Sequence, residues 1–209
     1  MTDKYPTETA LISGLLDRDE TAYRQAVRTY HGAMRYLAAS FVGEKLADEV
    51  VQEAWLSVLT ALDKFERRSS LKTWILRIVS NEAKTRLRKE NRLVSLEALL
   101  GEDSDMASRF DASGHWSLYP TDWQAHSPED LLSTSELKAC IELLTRGLPG
   151  IQVATLAMRE QQGLSYEEIC NILDISESNV RVLVHRARNR LYECIEHFRN
   201  TGECLAEQR

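Results

Sequence analysis

The chain has 209 residues, 43 % of them hydrophobic and 28 % charged, with a formal net charge of −6. These are the proportions of an ordinary soluble globular protein, with room for one large domain or two small ones and no apolar run near the ~20 residues that cross a bilayer. The polar opening MTDKYPTETA lacks the apolar core of a secretory signal, and Cys140, Cys170, Cys194 and Cys204 lack a paired CxxC spacing, so a cytoplasmic protein with reduced thiols is expected.

Alternating strand patterns are nearly absent and helical spacing recurs throughout, which predicts an all-α chain. Leu11, Ile12, Leu15 and Leu16 mark a first helix; Tyr23, Val27, Tyr30, Met34, Leu37 and Phe41 mark a second, both within 8–44. A third covers 46–63. Lys64 to Ser70 reads as a polar loop, and Leu71 to Arg92 as a fourth helix, increasingly basic toward its end. From about Leu93 to Ser127 the periodicity fades. Gly101, Gly114, Pro120 and Pro128, beside Glu102, Asp103 and Asp105, mark a linker between two helical domains. Helices resume over 129–145 and 149–162, Pro149 suiting a first-turn position.

The most informative stretch is Leu164 to Leu191, LSYEEICNILDISESNVRVLVHRARNRL. Ser165 and Glu168 have the spacing of a capping box, and Ile169, Ile172 and Leu173 form the apolar stripe of a short helix. Ser176 opens a longer one, with apolar positions at Val180, Val184, Ala187, Leu191, Ile195 and Phe198. Its other face carries Arg181, His185, Arg186 and Asn189, flanked by Arg188 and Arg190. Two helices joined by a tight turn, the second basic, is the pattern of a helix-turn-helix reader of duplex DNA. The negative net charge conceals two basic patches. Arg67 to Arg92 holds nine Lys/Arg against two Asp/Glu, and Arg181 to Arg190 holds four Arg and no acid, so phosphate is attracted locally while the acidic remainder discourages indiscriminate binding.

LSYEEI followed by NVRVLVHRARNRL resembles region four of the sigma factors of bacterial RNA polymerase, nearest to the small extracytoplasmic-function (ECF), RpoE-like group. Upstream, DEVVQEAW, then DKF, then SSLKTWILRIVSN is similar to region two of the same family, in the family's order. The linker text FDASGHWSLYPTDW is similar to a subgroup with a GHW…P..W linker; the residues alone supply no mechanism for His115, Trp116 and Trp123.

The resemblance implies two small helical domains: region two at 8–92, a linker at 93–127, region four at 128–199 and a tail at 200–209. It implies a factor, not an enzyme, that binds core RNA polymerase through its clamp helices and flap and directs it to promoter DNA, with an anti-sigma factor as a further partner, no cofactor and no membrane insertion. By position, Asp48, Glu49, Val51, Gln52 and Glu53 become the polymerase-binding face. Phe65, Arg67, Arg68, Ser69, Ser70, Arg77, Asn81, Lys84 and Arg88 become the residues that capture the melted minus-ten strand. Ser165, Tyr166, Ser178, Arg181, Val182, His185, Arg186 and Arg188 become those that read the duplex minus-thirty-five element. On a helix with Leu71, Ile75 and Ile78, Trp74 reads as a core residue. Cys194, His197 and Cys204 have a CxxH spacing with a loose later Cys and no evident fourth ligand, so no metal is expected. Two rivals remain: a helix-turn-helix regulator acting without polymerase, and a sigma-like decoy that only binds an anti-sigma factor. The decoy would be expected to lack Arg77, Asn81 and the basic helix, all of which are present.

Overall fold

The computed structural model describes residues 4–89 and 135–205, and the described chain is all α, without strands. Its helices are α1 (Glu8–Leu16), α2 (Glu20–Val42), α3 (Glu44–Ala61), α4 (Leu71–Lys89), α5 (Ser135–Gly147), α6 (Gly150–Glu160), α7 (Tyr166–Leu173) and α8 (Glu177–Thr201), with a 3-10 turn at Leu62–Lys64. The linker motif with His115, Trp116 and Trp123 lies outside the described residues, as do 129–134 of the expected fifth helix.

The backbone divides into two compact units. The first holds residues 4–89 together with Met158–Glu177; the second holds 135–157 and 178–205.

In the first unit, α2, α3 and α4 pack on one another and α1 packs on α2. Local chemistry sets the helix starts. The Thr7 hydroxyl accepts from the Ala10 amide, and the Asp19 carboxylate accepts from the amides of Thr21 and Ala22. Lys4 bonds the same carboxylate at 2.6 Å and holds it well below the usual carboxylate range. Gln25, almost fully buried, exchanges two hydrogen bonds with the backbone of Tyr5 and so fastens the N-terminal segment to α2. Between α2 and α3 stands Gly43 at φ 83°, ψ 164°, a conformation open only to glycine. Met34, Leu37, Val50, Leu71, Ile75 and Leu76 form the fully buried centre of this unit. Val27 does not belong to it, although its spacing places it in the apolar stripe of α2. Ala22, Ala26 and Ala38 face inward instead, since small side chains let the helices approach closely.

Short apolar α7 completes the first unit. It packs on α4, with Ile169, Ile172 and Leu173 buried.

In the second unit α5 buries Leu137 and Cys140, and α8 buries Val180, Leu183, Val184, Ala187, Tyr192 and Cys194. The stripe of α8 thus runs through Leu183 and Tyr192, whereas Leu191, Ile195 and Phe198 are only half-buried. After Thr201 the chain turns at Gly202 (φ 72°), whose amide bonds the Phe198 carbonyl at 2.8 Å. This left-handed turn brings Cys204 back to α5, where it forms a disulfide with Cys140. The expectation of four reduced thiols is therefore corrected. Sixty-four residues separate the pair, so no local spacing announces it.

Candidate nucleic-acid interface

Ser70 opens α4: its Oγ accepts from the Thr73 amide at 3.1 Å and lies 2.9 Å from the Thr73 hydroxyl. Beyond this cap, Arg77, Asn81, Lys84 and Arg88 recur at intervals of four, three and four, and so form one stripe. The opposite side of α4 carries Leu71, Ile75, Leu76, Val79 and Ala83, all buried, which turns the stripe away from the core. Arg77, Asn81 and Arg88 are exposed and Lys84 is half-buried. In the preceding loop Arg67 and Arg68 are exposed, Arg68 pairing with Glu66 at 2.6 Å, and Ser69 is half-buried. The Phe65 ring lies 4.8 Å from that of Trp74, tilted by 36°. Trp74 is half-buried, so it is only partly the core residue its neighbours suggest. An aromatic pair, a reading amide and a row of cations are what an unstacked base and its backbone require.

Three polar contacts tie this helix to α7 and its C-cap Asp174. The Thr73 hydroxyl donates to Glu168 Oε1 at 3.3 Å, Arg77 pairs with Asp174 at 3.7 Å, and Lys84 Nζ donates to the Leu173 carbonyl. Burial lowers the pKa of Lys84, the nearby Asp174 carboxylate opposing the shift and the charges of Arg88 and Arg77 adding to it.

The capping box read from the sequence is present in full. Ser165 Oγ accepts from the Glu168 amide at 3.1 Å, and Glu168 Oε2 accepts from the Ser165 amide at 2.9 Å. That amide bond is the main reason the Glu168 carboxyl sits below its usual range. The Arg159 guanidinium lies 4.7 Å over the Tyr166 ring, so both residues at the start of α7 have structural partners. On α8, Ser178 is exposed and Val182 is 38 % exposed, while Arg181, His185, Arg186 and Arg188 are half-buried. His185 Nδ1 lies 3.1 Å from the Asn189 amide nitrogen. Burial, then the charges of Arg188 and Arg186, lower the pKa of His185 and favour its neutral imidazole. Asn189, expected on the polar face, is buried.

A second surface lies on α3. Asp48 and Glu44 both pair with Arg35, at 3.0 and 2.7 Å, and Glu49 pairs with Arg86 of α4 at 3.2 Å. Gln52 and Glu53 are exposed. Val51 is not part of that exposed surface. It is 1 % exposed and packs into the core, because it faces the side of α3 shared with Ala47, Val50, Ala54 and Val58. Leu56 and Leu59, 66 % and 46 % exposed on the same helix, supply the apolar groups instead. Sequence reasoning passed over both, because a leucine in a helical pattern is ordinarily counted as core.

Set against known proteins, residues 26–93 match sigma-70 region 2 and residues 138–191 match sigma-70 region 4. The second match takes in α5, α6, α7 and the first half of α8, and so straddles the two compact units. A probable RNA polymerase sigma factor of Haemophilus influenzae is 36 % identical over 152 residues, 72 % of this chain and 77 % of its own length. The ECF RNA polymerase sigma-E factor of the same organism is 30 % identical, covering 91 % of this chain and 96 % of its own. Among solved structures, the sigma factor RpoE of Bartonella quintana in complex with the anti-sigma factor NepR is 25 % identical with a TM-score of 0.54, covering 82 % of this chain and 94 % of that one. CnrH in complex with the cytosolic domain of CnrY, 18 % identical, covers 91 % of this chain and 97 % of that chain with a TM-score of 0.51, a likeness of fold.

Proposed function

The chain belongs to the ECF sigma factors of the sigma-70 family, and from that membership we propose how its two basic helices divide the work of starting transcription. It binds core RNA polymerase and directs it to promoters, leaving the chemistry to the polymerase. Gln52, Glu53, Leu56 and Leu59 on α3, with the paired carboxylates of Asp48 and Glu49 beside them, dock on the polymerase. An acidic and amide-bearing face with apolar anchors suits basic helices of a partner. The stripe Arg77, Asn81, Lys84 and Arg88, with the Phe65 loop, holds the single strand of the minus-ten element. On α8, Arg181, Arg186 and Arg188 approach the duplex minus-thirty-five element together with Val182, which offers a thymine methyl an apolar contact. Neutral His185 serves as a hydrogen-bonding group and not as a phosphate counter-charge. Region two is assigned to 8–92 and region four to 128–199, joined by 93–127 and followed by a tail at 200–209. By analogy with RpoE and its partner NepR, an anti-sigma factor is expected to bind this chain, which works in the cytoplasm.

The observation that carries the reading is the single stripe on α4, downstream of the docking face and in the family's order. The test is transcription in vitro from a genomic template with core polymerase, the transcripts being sequenced. New start sites should require both proteins and share an upstream and a minus-ten element. Specific binding to operators by the chain alone, without new start sites, would favour the plain regulator.

A further inference from the structure

Three of the four cysteines meet in the second unit. Cys140 comes from the buried side of α5, Cys194 from α8 and Cys204 from beyond the Gly202 turn, and their sulfurs all lie within 4.8 Å of one another. Cys140 and Cys204 are bonded. Cys194 is a free thiol, 0 % exposed, with its Sγ 3.2 Å from Cys140 Sγ. One turn further along α8 is His197, whose Nε2 is shielded from solvent and has no hydrogen-bond partner. The sequence offered Cys194, His197 and Cys204 without a fourth ligand. The fold brings Cys140 to Cys194 and Cys204, from more than fifty residues upstream.

A disulfide uses two of these four groups. It leaves a buried thiol against a sulfur and a buried imidazole nitrogen with nothing to bond. An orphaned nitrogen is unfavourable, so the disulfide alone does not account for the arrangement. A cation accounts for the three sulfurs, with His197 outside their 4.8 Å group. Four-coordinate Zn2+ takes thiolate sulfur at about 2.3 Å and imidazole nitrogen at about 2.0–2.1 Å, which sets the sulfurs about 3.8 Å apart. Cys194 Sγ stands 3.2 Å from Cys140 Sγ, and the bonded pair, 2.02 Å apart, has to separate on reduction to reach that spacing. Cys194 and His197, at i and i+3, share one side of α8.

We propose that Cys140, Cys194 and Cys204 hold a borderline-soft divalent cation such as Zn2+ when the Cys140–Cys204 bond is reduced, with His197, one turn along α8, turning in as the fourth ligand of a tetrahedral site. A dithiol reductant supplies the two electrons and two protons that convert this bond to two thiols, and itself becomes a disulfide. Cation binding then displaces three protons from the three thiols and takes the lone pair of the neutral imidazole. The disulfide and the metal exclude each other, and either one ties α5 to the end of α8.

The test uses the full chain, reduced anaerobically with a phosphine that is then removed, loaded with Zn2+ and dialysed. Metal analysis should find one Zn2+ per reduced chain and none in the chain kept oxidised. A thiol reagent should find one reactive cysteine, Cys170, in the loaded protein and all four after a strong chelator. Co2+ in place of Zn2+ should give sulfur-to-metal charge-transfer absorption. Cys194→Ser leaves the disulfide pair intact and should weaken metal binding tenfold or more, whereas Cys170→Ser should bind as the wild type does. His197→Ala should lower the affinity and keep the charge-transfer band; unchanged affinity would remove His197 from the site. Loss of Zn2+ from the reduced wild type on dialysis, with four equally reactive thiols in its presence, overturns the proposal. So does wild-type affinity in Cys194→Ser. If that variant fails to fold by circular dichroism, the cobalt spectrum and thiol count of the wild type decide.

Discussion

Asn81 and Arg186 illustrate how far single residues can be assigned. Asn81 is exposed on α4 and Arg186 is half-buried on α8. On the proposed reading they fail at different steps. Asn81→Ala should leave closed complexes largely intact and impair opening, with only partial relief on a template carrying a pre-melted bubble. Arg186→Ala should reduce initial promoter binding by about 1–3 kcal/mol on both templates, the worth of one good base contact. Permanganate footprinting on the two templates separates these outcomes, and identical defects would refute the division of labour. Gly43 makes a different point. A methyl group there would meet no atom within 4 Å, yet the positive φ excludes other residues. Gly43→Ala should therefore cost about 1–3 kcal/mol of stability through backbone strain alone, read by chemical denaturation. A change below about 0.5 kcal/mol would show that the α2–α3 junction relaxes.

Elements were legible where local chemistry sets them. The Ser165–Glu168 capping box needs four residues, and the sequence supplies all four, so it was readable before any packing was known. It also carries a pH dependence. The folded pKa of Glu168 is depressed, so its contribution is present above its unfolded pKa and is lost as the pH falls through the folded value. Ser165→Ala should cost about 0.5–2 kcal/mol at pH 7, and the difference between wild type and Glu168→Gln in thermal melts should shrink below about pH 4. A difference that persists under acid would mean that the amide–carboxylate bond is not its source. His185 follows the same sign for a different reason: burial lowers its folded pKa, so stability should fall as acid protonates the ring. On α3 the outcome was mixed. Periodicity alone cannot say which of Val51 and Leu56 faces inward, because both neighbour the acidic residues; the position of α2 and α4 decides it. Gln52→Ala with Glu53→Ala should leave the circular dichroism unchanged and weaken the pull-down of core polymerase. Undiminished capture would remove the docking assignment.

Across the whole molecule, the sequence could place charge along the chain but not contacts between distant segments. The Cys140–Cys204 bond and the packing of α7 on α4 both join residues too far apart for any local pattern to announce. Basic patches set on separate helices of an acidic chain should bind promoter DNA weakly until polymerase links them. Tight, specific gel shifts by the isolated chain in physiological salt would contradict this. On the proposed reading the α4–α7 contacts add a cost of another kind, because a strand that takes Arg77 and Lys84 must first evict Asp174 and the Leu173 carbonyl. The two tethers differ in strength. The Arg77 pair is 3.7 Å long and well exposed, the kind worth about 0–1 kcal/mol, whereas a charged hydrogen bond from a half-buried lysine is worth about 1.5–3 kcal/mol. Eviction is intramolecular, so diluting the protein cannot weaken the incumbent, while adding DNA can displace it. If the stripe binds the strand as proposed, Lys84 and not the more exposed Arg77 sets how much of its own binding energy the chain withholds from the promoter.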